Sequence, residues 1–389
     1  MAEAQARILA LAPPLDIETV PLIAAANRWA AEGVAALRTQ PAADLSAMDG
    51  YAIHYADLPG PWRMSEGEST PGTLANSPLA SGQALRIFTG APVPPGADTV
   101  LVQEDAERDG GVLRLTGKGP PRAGAHVRPA GSDFRIGDRL VEEGQHLTPA
   151  RIGLAAVGGH GRIAVRRRPR IAIISTGDEL VAPGMPLEGV QLPSSNAAML
   201  AAMLAALPVD VVDLGIVRDD LEAIASAFAG ADADIIVTTG GASVGDHDLV
   251  RPALENAGAA LDFWRVAMKP GKPIMAGRLG DSVMLGLPGN PVSAFVTATL
   301  FLKPLIAAAM GAANPVAAPR PILLGAAVPA TGKRAEYLRA RIVGGRAAML
   351  SGQDSAALAT LAQAQALIVR PPYSGALAEG ESAEILDIA

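Results

Sequence analysis

Three short runs are apolar almost throughout: RIAIIS at 170–175, IIVTT at 235–239 and SVML at 282–285. A strand with one wet face alternates apolar and polar residues, so runs like these must be covered on both faces. Between and around them lie segments with helical spacing at 197–207, closed by Pro208, and at 221–228, 252–257 and 291–302, with a further strand at 209–215. Strand alternating with helix in this way predicts a parallel sheet with helices on both sides. Such sheets bind ligands at the carboxyl ends of their strands. Every polar Gly-rich loop in this stretch falls at such an end.

The rest of the chain has another texture. After Pro13-Pro14, Asp16 is expected to cap a helix through the Ala-rich 21–37. Between 44 and 143, short apolar pieces at 84–88, 99–103 and 111–115 alternate with Gly/Pro clusters and predict a β region rich in turns. A helix is expected again at 148–157. Arg166-Arg167-Arg168-Pro169-Arg170 reads as a solvated linker. Apolar pieces at 322–327, 338–343, 366–369 and 382–386 predict a small separate β domain. At roughly 100–200 residues per domain, the length allows about two to four of them.

Several classes fall away. The chain has no Cys, which excludes disulfides, zinc–thiolate sites, Fe–S clusters and Cys nucleophiles. Its five His include no pair with zinc-motif spacing, and a net charge of −7 argues against nucleic acid as a partner. The first sixteen residues carry Glu3 and no basic start, unlike a signal peptide. The apolar stretch 292–309 is interrupted at Lys303-Pro304, and the eleven residues before the break fall short of the roughly 20 that span a bilayer. A cytoplasmic protein with no membrane segment is the expectation. Six Phe, three Trp and four Tyr leave the cores to aliphatic side chains, while 42 Gly and 32 Pro supply sharp turns.

Several loops could carry chemistry. TTGGASVGDHD (238–248) follows a buried strand. Its glycines can turn N–H groups toward a phosphate, and Asp246 and Asp248 beside such a cradle imply a divalent metal. The plain alternative is a turn with solvated acids, and His247 reads as an exposed loop residue. In MKPGKP (268–273), Lys269 and Lys272 can point at one oxyanion, or simply face water. In GLPGNPVS (286–293), Asn290 suits an N-cap and Pro291 the first helical position, so the free N–H groups could hold an anion. The acids of STGDEL (175–180) could meet a ribose hydroxyl or a metal, or cap a helix. Asp49 sits in an Asp-Gly turn, and Thr89 in a rigid Pro-rich loop. Walker A and Gly-x-Gly-x-x-Gly patterns are missing. The residues themselves lead to an α/β domain that binds a phosphorylated or oxyanionic ligand with Mg²⁺.

Read in order, SAMDGYAI (46–53), FTGAPVPPGAD (88–98), ISTGDELV (174–181), TTGGASVGDHD, MKPGKP and GLPGNPVS resemble the molybdopterin molybdenumtransferase family, MoeA, which is related to the E domain of gephyrin. The resemblance implies an enzyme that takes adenylylated molybdopterin and molybdate. In a Mg²⁺-dependent step it releases AMP and places molybdenum in the pterin dithiolene. It implies a multidomain α+β and α/β fold: a discontinuous, elongated linking domain (1–44 plus 128–168) and an inserted β-rich domain (45–127). A MogA-like α/β domain with a mainly parallel sheet (169–312) and a small β-barrel-like domain (317–389) complete it. It also implies a homodimer whose active site lies between the α/β domain and the SAMDGYAI region of the other subunit.

By the same resemblance, Asp49 lies across the cleft, and Asp246, Asp248 and Glu179 handle metal and substrate. Lys269 and Lys272 hold oxyanions. Thr89, Glu179, Asn196, Gly240, Gly241, Ser243, Pro288, Asn290 and Ser293 shape the substrate pocket. Asp133 matches a family acid more loosely. Ser194-Ser195-Asn196 departs from the family, which often has an acid or a single Ser there. The C-terminal domain matches through Arg339 in YLRARI and through SGQDS. Transient contacts with the adenylyltransferase and with molybdoenzymes are implied partners. A molybdopterin adenylyltransferase is the alternative within the class, disfavoured by the domains before 169. A non-catalytic cofactor scaffold is the other, disfavoured by Asp49, Asp246 and Asp248. With so few rings, pterin recognition is expected to rest on polar and backbone contacts.

Overall fold

The apolar run at 170–175 becomes strand Arg170–Thr176, an inner strand of a six-stranded sheet, in a computed structural model that describes residues 1–73, 78–240, 249–271 and 273–388. Across the sheet the order is Asp210–Val217, Arg170–Thr176, Ile235–Thr239, Ser282–Leu287, Pro273–Leu279, Ala260–Arg265. The first four are parallel, and the last two add an antiparallel edge that the sequence did not signal.

Register explains the unbroken apolar runs. Ile171 pairs with Ile235 and Ile235 with Val283, so like residues line up across the sheet. Ile171, Ile173, Val237 and Leu285 face one layer, packed with helix Ser195–Leu204 and the helix at 291–309. Ala172, Ile174, Ile236 and Met284 face the other, against helices Leu221–Ala229 and Val250–Asn256. Each fully buried Ile, Val or Leu contributes about 1.5–3 kcal/mol of hydrophobic stabilisation.

The helix expected to end near 302 runs on. Pro291–Thr297 continues through a widened π-type turn, Ala298–Leu302, into Lys303–Ala309. Pro304 has no N–H to donate to the Leu300 carbonyl four residues back. The side chain of Gln5, from the N-terminal helix Ala2–Leu9, donates to that carbonyl instead, at 3.1 Å. The whole span Pro291–Ala309 is long and apolar enough to cross a membrane, yet 78% of its most apolar window is buried inside the molecule, as befits a core helix.

The helix expected over 21–37 does not form. Ile17–Pro21 is a strand antiparallel to Arg162–Arg166, followed by a single helical turn, Leu22–Ala25. Asn27 then takes a positive φ of 63°, and Val34–Ala35 pairs with Arg139–Val141. Ala25, Ala30, Ala31 and Ala36 are buried where these segments close on one another, so tertiary pairing overrides helix propensity. Ile8 and Leu15 share one core cluster with Ile171, Ile173 and Leu285 of the α/β sheet, so the first residues pack against that region. Helix Pro149–Val157 forms as expected, with the Thr148 hydroxyl accepting from Arg151 N–H.

The arginine run is not a solvated linker. Arg167 forks onto both oxygens of Asp234 at 2.8 and 2.6 Å, and the Arg170 N–H reaches Asp234 Oδ2 at 2.7 Å. Arg166 donates to the Leu15 carbonyl, Arg170 pairs with Asp232, and the buried Arg28 bonds to Glu18 and to the Arg166 carbonyl. The run fastens the linking region to the α/β sheet.

Elsewhere two further six-stranded sheets form. The inserted region orders Thr99–Val102, Gly50–Ile53, Gln83–Ile87, Trp62–Ser69, Val112–Leu115, Ala106–Asp109. At the C-terminus, Ala335–Val343, Arg346–Met349, Arg320–Leu324, Ser382–Asp387 and Ala366–Arg370 close into a barrel, since the last pairs back with the first. Leu324, Leu338, Ala340 and Ile385 fill it. The short strand Met268–Lys269 of the α/β region joins the barrel edge, parallel to Ala335 and Glu336.

Candidate active-site cleft

Strands Arg170–Thr176, Ile235–Thr239 and Ser282–Leu287 end side by side, and a cleft of about 690 Å³ opens at their carboxyl ends. Thr176, Thr239 and Gly240 line it, with Glu179 from the loop after the first strand. Ser194, Ser195 and Asn196 enter from the start of helix Ser195–Leu204, and Gly289, Asn290 and Pro291 from the start of the helix at 291–309. Ala356 and Leu358 come from the C-terminal region.

Close packing fixes the lining backbone. Gly240 has φ +102°, and a Cβ there would lie 2.6 Å from the Thr176 carbonyl. Gly177 lets the Glu179 carboxylate fold against it, 2.6 Å from where a Cβ would stand. Beneath, three buried hydroxyls link up: Ser194 donates to Ser175 at 3.3 Å, and Ser175 meets Thr239 at 3.3 Å. Asn196 donates from Nδ2 to the Gly289 carbonyl at 2.6 Å, while its buried Oδ1 has no partner among the described residues. That leaves an acceptor waiting in the cleft wall.

The electrostatics are mixed. Asp178 and Asp219 exchange backbone-to-carboxylate hydrogen bonds at 3.4 and 3.2 Å, which docks the Glu179 loop. Burial pushes the Asp219 carboxyl above its usual range, and the nearby Asp178 and Glu179 charges add to that push. Lys269 does not line the cleft. Its side chain is 47% exposed, and its ammonium lies 3.9 Å from Glu336 of the barrel. Its loop meets the start of the helix at 291–309 through Gly271, whose Cβ would stand 2.5 Å from Thr297.

Of the residues singled out from sequence, Glu179, Asn196, Gly240 and Asn290 come together here. Pro288 is half-buried just before Gly289, and Ser293 is buried, its carbonyl accepting from the Thr297 hydroxyl at 2.7 Å. Gly241, Ser243, Asp246, His247, Asp248 and Lys272 lie outside the described residues. Asp49 and Thr89 meet in the inserted region, where Thr89 donates to Asp49 Oδ1 from N at 2.7 Å and from Oγ1 at 2.8 Å. These bonds hold the Asp49 carboxyl below its usual pKa, with Arg86 adding a smaller pull. No described residue of 45–127 lines the cleft. Asp133 lies in the linking region, its N–H on the Gln40 carbonyl, and not at the cleft.

Sequence reasoning missed the barrel's share. The Asn290 side chain donates to Ser355 Oγ at 3.1 Å, and the Ser355 carbonyl accepts from Val292 N–H at 3.1 Å. The helix start expected to be open to an anion is therefore partly closed by SGQDS. The one available signal was the position of that motif after YLRARI. Arg339 is 1% exposed and holds the Asp354 carbonyl at 2.8 Å, which sets the loop.

Comparison with known proteins matches the chain along most of its length. Residues 1–159 match the MoeA N-terminal region (domain I and II), 172–308 a probable molybdopterin binding domain, and 322–388 the MoeA C-terminal region (domain IV). A molybdopterin molybdenumtransferase from Haemophilus influenzae is 38% identical over 79% of this chain and 77% of its own. Molybdopterin molybdenumtransferase 2 from Mycobacterium tuberculosis is 35% identical over 95% of each chain. The crystal structure of a molybdopterin biosynthesis MoeA protein from Pyrococcus horikoshii superimposes with a TM-score of 0.84 at 26% identity, covering 100% of this chain and 99% of that one. With all three regions present in family order on one multidomain fold, the chain belongs to the molybdopterin molybdenumtransferase (MoeA) family.

Proposed function

We propose that this protein inserts molybdenum into molybdopterin, taking adenylylated molybdopterin and molybdate and releasing AMP. One observation carries the reading: the cleft at the ends of three parallel strands gathers Glu179, Asn196, Gly240 and Asn290, in a chain with molybdenumtransferase relatives at 38% and 35% identity.

The substrates are anions, so the site must offset their mutual repulsion while orienting them. Lys272 holds an oxyanion together with Lys269, which acts from outside the cleft lining beside Glu336. Gly240 and Gly241 let the backbone approach phosphate, Ser243, Pro288, Asn290 and Ser293 shape the pocket, and the partner subunit's Thr89 closes it from across the interface. Asn196 Oδ1 accepts from the nucleotide part or faces the metal. Glu179 and the orphaned Asn196 Oδ1 are oxygen donors of the kind Mg²⁺ takes, and Asp246 and Asp248 would complete the set. Mg²⁺ bound there would offset phosphate charge and polarise the phosphoanhydride. No covalent protein nucleophile is required.

The working unit is a homodimer in which the partner subunit's Asp49 faces the cleft. Two observations support this. The cleft takes no described residue from 45–127. Ile23, Leu37, Ile136 and Val157 of the linking region, and Met185, Leu187, Val190 and Leu192 near the cleft, are exposed apolar side chains that a subunit interface would cover. The enzyme works in the cytoplasm, receives its substrate from the adenylyltransferase and passes cofactor to molybdoenzymes by transient contact.

The test is AMP release from adenylylated molybdopterin and Mg²⁺, with and without molybdate. AMP that appears only with molybdate supports insertion. Adenylylation of molybdopterin from ATP moves the protein to the adenylyltransferases, and binding without turnover to the scaffolds.

A further inference from the structure

Arg86 makes an unusual set of contacts for a half-exposed arginine. Antiparallel pairing of Gln83–Ile87 with Gly50–Ile53 sets Arg86 opposite Tyr51. Its guanidinium carbon lies 5.2 Å from the centre of the Tyr51 ring and 4.7 Å from that of Phe88. The chain has only four Tyr and six Phe, and one of each meets on this single cation. Arg86 also donates from Nη1 to the Gly50 carbonyl at 3.1 Å and from Nη2 to Gln103 Oε1 at 2.8 Å.

Three of these four contacts fall one step from Asp49. Gly50 follows it in the chain. Phe88 precedes Thr89, which gives both of its donors to Asp49 Oδ1. Gln103 donates its own N–H to the Asp49 carbonyl at 3.1 Å. Oδ1 is thus held twice, while Oδ2 has no donor among the described residues. A carboxylate fixed through one oxygen presents the other to a ligand in a set direction. Among the described residues, Arg86 is the charged group that acts on it.

A purely structural stack is the plain alternative. Ladder hydrogen bonds already join these strands, so strand pairing does not need the Arg86 donors. They go instead to the turn that carries the acid and to the residue bonded to its carbonyl. We propose that Arg86 is the positioning residue for Asp49: held over two rings, it locks the Asp49-Gly50 turn against the Phe88-Thr89 loop and so sets where the free carboxylate oxygen stands. This rests on the reading of Asp49 as an acid of the insertion site. A lysine does not replace it, because one ammonium cannot stack as a planar fork does while reaching two acceptors.

The test uses full-length protein with Arg86→Met, Arg86→Lys, Asp49→Asn and the Asp49→Asn/Arg86→Met double variant, each checked for folding by circular dichroism. AMP release is measured with adenylylated molybdopterin, molybdate and Mg²⁺. Expected is a kcat loss of about 10- to 100-fold for Arg86→Met, with KM for the pterin substrate little changed. The double variant falls no further than Asp49→Asn alone. Losses that multiply, an unchanged kcat, or a rise confined to KM overturns the proposal. If the Met variant does not fold, the Lys variant enters the same cycle, with the same expectation. A second readout is independent of the reaction: carbon-13 carboxyl titration of Asp49, assigned with Asp49→Asn. Loss of the Arg86 fork raises its midpoint. An unmoved midpoint sinks the positioning role even in a protein that releases no AMP, a result that would separately sink the insertion reading.

Discussion

Asn290 donates from Nδ2 to the Ser355 hydroxyl at 3.1 Å, and the Ser355 carbonyl takes the Val292 N–H at the same distance. One residue of the C-terminal barrel thus occupies both the cap side chain and a free amide at the start of the helix at 291–309. Pro291 has no N–H to offer, so the helix start is less open than its sequence implies. Together with Met268–Lys269 on the barrel edge, this makes the barrel a structural part of the cleft.

Arg339 sets the loop that does this. Its Nη1 holds the Asp354 carbonyl, and Gln353 bridges back to the Arg339 backbone at 3.1 and 3.0 Å. Arg339→Met keeps much of the volume but frees that carbonyl, at a cost of about 1–3 kcal/mol. Hydrogen exchange at the Val292 amide is expected to quicken in the variant. Unchanged protection of that amide would show that the loop is held by other means.

What was legible in the sequence followed from local rules. The three strands were readable because burial on both faces removes polar residues, and Glu179, Gly240 and Asn290 because loops at such strand ends meet, whereas Asn196 followed from the family resemblance alone. The edge strands Ala260–Arg265 and Pro273–Leu279 carry neither an unbroken run nor clean alternation. The false helix at 21–37 came from alanines whose real partners lie far along the chain: Ala30 bridges to Val165, and Ala35 pairs with Arg139. Ser355 and the Ser194–Ser175–Thr239 chain were invisible because serine is ordinary until folding brings its partner. Arg167 looked solvated for the same reason: Asp234 lies 67 residues on.

That pair predicts a pH dependence. Burial alone would raise the Asp234 pKa, but the Arg167 fork and the Arg170 N–H outweigh it and hold the carboxyl below its ordinary 3.8. A depressed carboxylate contributes stability that is present above the ordinary value and is lost as pH falls through the folded one. Asp234→Asn is expected to cost roughly 1–3 kcal/mol at neutral pH, between an exposed and a buried pair. Urea midpoints of wild type and variant should converge as pH drops below about 4. A gap that stays constant down to pH 2.5 would refute the assignment.

Gly240 tests the cleft geometry. Its φ of +102° is one that L side chains rarely adopt, and a Cβ would press on the Thr176 backbone oxygen at 2.6 Å. Gly240→Ala is expected to cost about 2–4 kcal/mol from strain and clash together, or to push the strand end away from Thr176. A Tm within a degree of wild type, with AMP release intact, would mean that the backbone here adapts freely.

The bond between Gln5 and the Leu300 carbonyl gives the sharpest test, because Pro304 explains why that carbonyl is available. Gln5→Met keeps the length and apolar stem and removes the donor. With Pro304 in place the carbonyl then loses its side-chain partner in a half-buried position, at a cost of about 1–2 kcal/mol. Pro304→Ala restores a backbone N–H that can bond to Leu300 and lets the widened turn relax. In that background, Gln5→Met is expected to cost less than half as much. The coupling is read from urea unfolding of wild type, both single variants and the double. Equal costs in the two backgrounds would show that Gln5 and Pro304 act independently, and that the π-type turn already satisfies Leu300 without the N-terminal helix.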